Sequence, residues 1–159
     1  YDPGSYMELD GVRYDVLQFH YHAPSEHAVD GKLYAAEFHI VHKNADGGLA
    51  VVGILVQAGA ENKALAPFID NLPAEKSDAK DVGVTINAAD LLPAVQTTFR
   101  YTGSLTTPPC SEGVQWNLMT TPIEMSAGQI DALKSLFEHG NNRPVQPLFD
   151  RALIEDNTP

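Results

Sequence analysis

Polar residues at every second position of two short segments, three histidines among them, constrain this fold more than any other feature of the sequence. Residues 18–22 read Gln-Phe-His-Tyr-His, and residues 37–39 read Glu-Phe-His. On a β-strand, side chains two positions apart lie on the same face, about 6–7 Å from each other. The pattern therefore predicts two strands that each present their polar residues on one face, Gln18, His20 and His22 on the first and Glu37 and His39 on the second.

If these strands are neighbours in one sheet, the three imidazoles converge on one point. Three histidine nitrogens with a fourth position left open are typical of a catalytic zinc site. A zinc-bound imidazole also needs an acceptor for its second nitrogen, and Gln18 and Glu37 are each placed to supply one. A lone histidine on a half-apolar strand is more often a hydrogen-bonded core residue, and we interpret His27, His42 and His139 as structural or surface histidines.

Strand signals dominate the rest of the chain, so we expect a mainly β fold. Asp10 and Gly11 separate two strand-like segments, 6–9 and 12–17, in the pattern of a tight hairpin turn, and the second arm continues to His22. Segments rich in β-branched and aromatic residues predict further strands at 35–42, 49–58, 98–105 and 114–119.

One clear helix is predicted to begin after Ser126, which can cap the first turn together with Gln129 as a capping box. Gly140 follows as a stop signal. The apolar face of this helix comprises Ile130, Leu133, Leu136 and Phe137. A weaker helix is predicted around 63–72, where a proline would remove a backbone donor. Residues 73–82 are predicted to form a solvated polar loop.

The composition is that of an ordinary globular domain, and it excludes several classes of function. The chain has 159 residues, with Lys+Arg 10 against Asp+Glu 21 and a formal charge of −11. Nucleic-acid binding depends on basic groups that neutralise phosphates, so we expect no nucleic-acid partner, and anionic membranes are disfavoured too. The longest apolar stretch, 49–56, is far shorter than the roughly 20 residues that cross a bilayer, so no membrane span is predicted.

Five segments, in order along the chain, resemble those of the α-class carbonic anhydrases of the bacterial type. They are 18–22, Ser-Glu-His at 25–27, Tyr-Ala-Ala-Glu-Phe-His-Ile-Val-His at 34–42, Gly-Ser-Leu-Thr-Thr-Pro-Pro-Cys at 103–110 and Asn-Arg-Pro-Val-Gln-Pro-Leu at 142–148. The resemblance implies a mainly β fold with a few short helices and a central, mostly antiparallel twisted sheet. It also implies that residues 1–159 form a single catalytic domain, the C-terminal majority of the family fold without its N-terminal segment.

The function that the resemblance implies is the zinc-dependent, reversible hydration of carbon dioxide to bicarbonate and a proton. Zn²⁺ would be held by His20, His22 and His39, the residues that strand parity already selects, and hydroxide on the zinc would attack carbon dioxide. The Thr106 hydroxyl would accept a hydrogen bond from that hydroxide and donate its own proton to Glu26, because an ionised carboxylate can only accept.

The resemblance also implies an apolar wall for carbon dioxide, whose members would otherwise be taken for ordinary core residues. They are Val41, Val51, Leu105, Val114 and Trp116, with Thr107 beside the bicarbonate. The small-molecule partners expected from the resemblance are carbon dioxide, bicarbonate and water, with sulfonamides or small anions as inhibitors.

Two features usual in the family are missing from this sequence. No histidine precedes His20, so the family's proton-shuttle histidine has no counterpart. Cys110 is the only cysteine, and the resemblance implies that it is half of a disulfide whose other half lies in the N-terminal segment. We therefore expect a longer parent protein that is periplasmic or secreted. Sheet edges left unpaired also keep a homodimer open as an alternative to a monomer.

Two other functions compete with this one. A carbonic-anhydrase-like binding module, or an inactive zinc-binding fragment, would keep the fold without the chemistry. The binding module is expected to lack one or more of the zinc ligands, whereas His20, His22 and His39 are all present. A metal cupin has a glutamate after His-x-His and then a distant histidine, a pattern also found in His20, His22, Glu26 and His39. In a cupin Glu26 would bind the metal, and the segment 105–109 would have no role.

Overall fold

The computed structural model describes residues 4–74, 78, 81 and 83–157. Within them lie ten strands and two α-helices. The strands are β1 (Tyr6–Leu9), β2 (Val12–His22), β3 (Ala28–Val29), β4 (Lys32–Leu33), β5 (Ala36–Lys43), β6 (Leu49–Ala58), β7 (Thr98–Ser104), β8 (Glu112–Met119), β9 (Ile123–Met125) and β10 (Ile154–Asp156). The helices are α1 (Ala66–Ile69) and α2 (Ala127–Ser135), and a 3-10 helix spans Ala88–Leu91.

Eight of the described strands form one sheet in the order β1-β2-β5-β6-β8-β7-β10, with β9 paired to β6. All neighbours are antiparallel except β6 with β8 and β6 with β9, so the predicted mostly antiparallel sheet is confirmed. The six predicted strands are present, with ends within two residues of those expected. Strands β3, β4, β9 and β10 were not predicted, because two or three residues carry too little alternation to be recognised.

The tight turn between β1 and β2 has the backbone that its sequence predicts. Asp10 has φ 51° and Gly11 has φ 76°. Two successive positive φ angles are the signature of a primed hairpin turn, whose twist matches that of the flanking strands. The turn sets the antiparallel register in which Leu9 pairs with Val12.

A β-bulge in β2 decides which side chains of this strand face the core. Val16 pairs with His42 of β5, whereas Gln18 pairs with Val41, so the register shifts at Leu17. The extra residue reverses the strand's parity. Val16 therefore packs against the main core along with Phe19 and Tyr21. The sequence analysis did not predict this bulge.

The two faces of the sheet have different chemistry. One face carries the larger core, which includes Phe38 and Ile40 of β5, Ile54 and Val56 of β6, and Leu133 of α2. The opposite face of β5 carries Glu37, His39 and Val41, as strand alternation requires. The sheet thus separates a packed hydrophobic core from the polar residues described below.

Both predicted helices are present but shorter than expected. Helix α2 ends at Ser135, with Leu136 as its C-cap, so Phe137 lies beyond the helix and is exposed. Helix α1 covers only Ala66–Ile69, and its proline occupies the first turn, where the missing N–H is tolerated. None of the described helices is long and apolar enough to cross a membrane. The predicted polar loop at 73–82 lies largely outside the described residues.

Replacing Ser126 with alanine is expected to lower the free energy of unfolding by about 1 kcal/mol, because the side chain caps helix α2. The Ser126 hydroxyl accepts a hydrogen bond from Gln129 N, and Gln129 Oε1 accepts one from Ser126 N at 3.2 Å. Urea denaturation measures the change as a lower midpoint with an unchanged m-value. Ser126→Thr, which can also cap, is the control, and equal midpoints for the alanine and threonine variants would contradict the prediction.

Candidate metal centre

The three histidines selected by strand parity come together on the polar face of the sheet. His20 and His22 lie on β2 and His39 lies on β5, where His20 and His39 are direct register partners. One ring nitrogen from each lies within 4.8 Å of those of the other two. His22 and His39 are buried, and His20 is half-buried.

A hydrogen-bond acceptor stands behind each of the three rings. Gln18 Oε1 lies 2.8 Å from Nδ1 of His20, and Glu37 Oε1 lies 2.8 Å from Nε2 of His39. The third acceptor is the backbone carbonyl oxygen of Asn141, 3.0 Å from Nδ1 of His22. The contacts expected from Gln18 and Glu37 are present, whereas the sequence offered no signal for Asn141, because the acceptor is a backbone atom.

These acceptors assign the tautomers of the three rings. A carboxylate, an amide oxygen and a backbone carbonyl can only accept, so the facing ring nitrogen carries the proton in each case. The other nitrogen then has a lone pair, which leaves Nε2 of His20, Nε2 of His22 and Nδ1 of His39 as the ligand atoms of the group.

The lone pairs that face each other fit a metal cation. Nε2 of His20 and Nδ1 of His39 lie 3.4 Å apart, and two lone pairs cannot hydrogen-bond to each other. Nε2 of His22 is buried with no hydrogen-bond partner among the described residues. Burial and the neighbouring His39 and His22 lower the pKa of His20 to about 4, so the ring of His20 is neutral near neutral pH and its Nε2 keeps a lone pair. Three imidazole nitrogens suit zinc among the common metals.

Glu37 organises the polar layer behind His39. Its Oε2 accepts hydrogen bonds from the backbone N of Glu26 and of His27 at 2.9 and 2.8 Å, and its Oε1 faces ring nitrogens of His27 and His39. Burial pushes the pKa of Glu37 upward, but the charges and hydrogen bonds of His27 and His39 outweigh it and hold the pKa well below its usual value. Gly53 leaves space for the Glu37 carboxylate, since a Cβ at position 53 would lie 3.0 Å from Glu37 Oε1.

His27, interpreted above as structural, belongs to this layer and does not lie at the surface. Its Nδ1 donates to Glu37 Oε1 at 2.6 Å, so its Nε2 accepts from the Tyr101 hydroxyl at 2.7 Å. Burial raises the pKa of Tyr101, which therefore remains a donor. His27, Glu37 and His39 also lie close enough to hold a cation, but their facing atoms are already joined by these hydrogen bonds. The segment 25–27 was the sequence signal for His27, whereas nothing in the sequence indicated a role for Tyr101.

Glu26 and Thr106 both line a cavity of about 400 Å³, which His27 and Trp116 also line. Glu26 is buried, and its Oε1 accepts a hydrogen bond from the backbone N of Arg143 at 2.6 Å. Its Oε2 has no hydrogen-bond partner within the described part of the chain. The bond from Thr106 to Glu26 stays a prediction, and Oε2 is the atom free to accept it. Glu26 is not a member of the three-histidine group and lies on the Nδ1 side of His22, at 3.4 Å.

The apolar residues assigned by resemblance also gather beside the histidines. Val41, Val51, Val114 and Trp116 form a buried cluster, and Leu105 packs against it. The Trp116 ring lies edge-on to His39 with ring centroids 4.8 Å apart, and its Nε1 donates to the carbonyl of Ser104 at 3.0 Å. Thr107 is exposed. This face of the sheet therefore combines a nitrogen-rich polar centre with an apolar wall.

Comparison with known proteins gives a consistent result. Residues 4–157 match the family described as eukaryotic-type carbonic anhydrase. A carbonic anhydrase from Nostoc sp. is 49% identical over 156 residues, which are 98% of this chain and 59% of that protein. The chain spans about three-fifths of the length of the curated relatives it matches.

Solved structures agree with the sequence relatives. A hyperthermostable carbonic anhydrase from a hydrothermal vent chimney has a TM-score of 0.92 at 47% identity, over 98% of this chain and 69% of that chain. The α-carbonic anhydrase of Thermovibrio ammonificans, in complex with the inhibitor sulfanilamide, has a TM-score of 0.90 at 42% identity, over 93% of this chain and 66% of that chain.

Proposed function

Since this chain belongs to the α-carbonic anhydrase family, we propose that it catalyses the zinc-dependent, reversible hydration of carbon dioxide to bicarbonate and a proton. The observation that carries the proposal is the convergence of three inward-facing imidazole nitrogens whose other nitrogens are all engaged. A binding module that had lost the chemistry would have no reason to keep all three acceptors in place behind them.

Zinc is the proposed cofactor, held by Nε2 of His20, Nε2 of His22 and Nδ1 of His39. When bound in such a site, zinc lowers the pKa of a water molecule to near neutrality, an effect for which carbonic anhydrases are themselves the standard example. Gln18, Glu37 and the Asn141 carbonyl keep the three rings in the tautomer and orientation that binding requires.

Glu26 and Thr106 are proposed to orient the attacking oxygen. The unpartnered Oε2 of Glu26 is the acceptor for the hydroxyl proton of Thr106. With that proton donated to Glu26, Oγ1 of Thr106 could only accept, so it would hold the hydrogen of the oxygen nucleophile and leave a lone pair of that oxygen directed at carbon dioxide.

The apolar wall of Val41, Val51, Leu105, Val114 and Trp116 is the proposed binding surface for carbon dioxide. Carbon dioxide has no hydrogen-bond donor, and a buried apolar surface holds it without competing for the polar groups. Thr107 directly follows Thr106 and is exposed, and it is proposed to contact bicarbonate. Because the Thermovibrio relative binds sulfanilamide, sulfonamides and small anions are the proposed inhibitors.

Carbon dioxide hydration by the 159-residue chain and by the full-length protein, followed by stopped flow with zinc content determined on the same samples, tests the proposal. We expect about one zinc per chain and turnover that a chelator abolishes and added zinc restores. Stoichiometric zinc without turnover in the full-length protein would favour the alternative, a non-catalytic binding module. A full-length protein that binds no zinc would overturn the proposed metal centre.

The location outside the cytoplasm stays a proposal that rests on Cys110, whose thiol is free and half-exposed. Peptide mapping of the full-length protein without reductant tests it. A disulfide to Cys110 is the expected result, and a reduced Cys110 in protein isolated from its source would contradict the proposed location.

A further inference from the structure

Arg143 contacts both of the segments that carry Glu26 and Thr106. Its backbone N donates a hydrogen bond to Glu26 Oε1 at 2.6 Å, and Nη1 of its side chain donates to Oγ of Ser104 at 3.3 Å. Ser104 ends strand β7 and lies two positions before Thr106. The backbone of one residue therefore holds the carboxylate, while its side chain holds the start of the loop that carries the hydroxyl.

Ser104 is the point where strand β7 passes into the loop of Thr106. The register of β7 with β8 shifts between Gly103 and Ser104, and such a bulge changes the direction of the side chains that follow. Two side chains hold Ser104 there, since Trp116 Nε1 donates to its carbonyl at 3.0 Å and Arg143 donates to its hydroxyl. The guanidinium of Arg143 thus restrains the residue at which the Thr106 loop begins.

The proposed bond between Thr106 and Glu26 depends on a short distance between these two segments. A hydroxyl that donates to a carboxylate lies about 2.5–2.7 Å from its oxygen. The two residues are far apart in the sequence and line the same cavity of about 400 Å³, together with Ser104 and Arg143. Glu26 Oε2 is buried and has no hydrogen-bond partner within the described residues. A shift of the loop by about 1 Å would break the bond, and a misplacement of that size can lower turnover by about 100-fold.

We propose that Arg143 is a positioning residue, whose guanidinium acts through Ser104 to set the distance between the Thr106 hydroxyl and the Glu26 carboxylate. The inference rests on the proposed function and adds the group that keeps its donor and acceptor together. Arginine suits this role because its long side chain ends in a planar guanidinium with several donors in fixed directions. When the side chain is replaced, the backbone N of position 143 still donates to Glu26, so the contact that is lost is the one with Ser104.

Turnover of the full-length protein at matched zinc occupancy tests the inference. For Arg143→Ala we expect turnover about 10–100-fold lower with zinc content at the wild-type level, and Ser104→Ala should reproduce the loss. Arg143→Lys, which keeps a donor on a long side chain, should restore most of the turnover. Arg151→Ala is the control, because Arg151 lines the same cavity with the same charge but donates to the carbonyls of Pro147 and Leu148 in its own segment. Turnover of this variant should match the wild type.

Two further measurements separate positioning from general destabilisation. In a Glu26→Gln background, Arg143→Ala should cause little further loss of turnover, because the effects of groups that act as one unit are not additive. In metal-free protein with labelled threonine methyl groups, the Thr106 signal should shift in Arg143→Ala and Ser104→Ala and stay in place in Arg151→Ala. Equal losses in the two backgrounds, or an unchanged Thr106 signal, would overturn the inference.

The outcomes also distinguish this inference from the proposed function. A wild-type protein that binds zinc without turnover contradicts the proposed function, and the Thr106 signal then still decides the role of Arg143. Equal turnover of wild type and Arg143→Ala overturns that role alone. If Arg143→Ala does not fold, Ser104→Ala takes its place, since it removes a single hydroxyl from a half-buried position. Turnover and a Thr106 signal like those of the wild type would then overturn the inference.

Discussion

Replacing His39 with alanine is expected to abolish stoichiometric zinc binding and, with it, carbon dioxide hydration. The change removes one of three ligands and also deprives Glu37 of a hydrogen-bond donor. Loss of a partner behind a ligand costs about 10–100-fold in metal affinity, and loss of the ligand itself should cost more. Zinc per chain after dialysis, and turnover by stopped flow, measure the two effects.

His42→Ala is the matched control for this prediction. His42 is also a buried histidine of β5, three positions along the strand and on the opposite face of the sheet. Its loss should lower stability, because a buried side chain leaves a cavity, but zinc should still bind. If both variants lose zinc to the same extent, the loss reflects general destabilisation and the three-histidine centre is contradicted.

Strand periodicity was sufficient to locate the candidate metal ligands. Side-chain direction alternates strictly along a strand, so Gln18, His20 and His22 had to share a face once the segment was recognised as β. The register of β2 with β5, which places His20 beside His39, completes the site. Sequence alone could not give that register, because it depends on which strands become neighbours.

Contacts between distant segments are the part that the sequence did not reveal. Asn141 lies 119 positions from His22, and the group it offers is a backbone carbonyl, which leaves no signature in the residue type. The bond between Tyr101 and His27 likewise joins separate elements. The bulge at Leu17 is also invisible to an alternation argument, because one extra residue reverses the parity that the argument assumes.

The apolar wall shows a different limit. Val41, Val51, Val114 and Trp116 are buried like any core residues, and only the family resemblance singled them out. Hydrophobicity predicts that a side chain is buried, whereas a role in binding carbon dioxide depends on which groups lie beside that side chain. The neighbour in this case is the ring of His39, next to Trp116.

Glu26→Gln is expected to reduce the turnover number on the order of 10²-fold while zinc content stays at the wild-type level, since loss of one positioned hydrogen-bonding group in an active site has about this effect. A glutamine presents an amide that can donate where Glu26 only accepts. The Thr106 hydroxyl is then no longer obliged to donate in that direction, and the attacking oxygen loses its fixed orientation. Stopped-flow turnover at matched zinc occupancy measures the effect.

Thr106→Val should reproduce this loss, because valine has nearly the same shape but no hydroxyl. If Glu26 acts only through Thr106, the double variant should be about as slow as either single variant, since groups that act as one unit are not additive. Multiplied effects would show that the two residues act independently. Loss of zinc in Glu26→Gln would instead indicate a carboxylate ligand, as in a cupin. The structure argues against that reading, because Glu26 lies on the Nδ1 side of His22 and outside the group of ligand nitrogens.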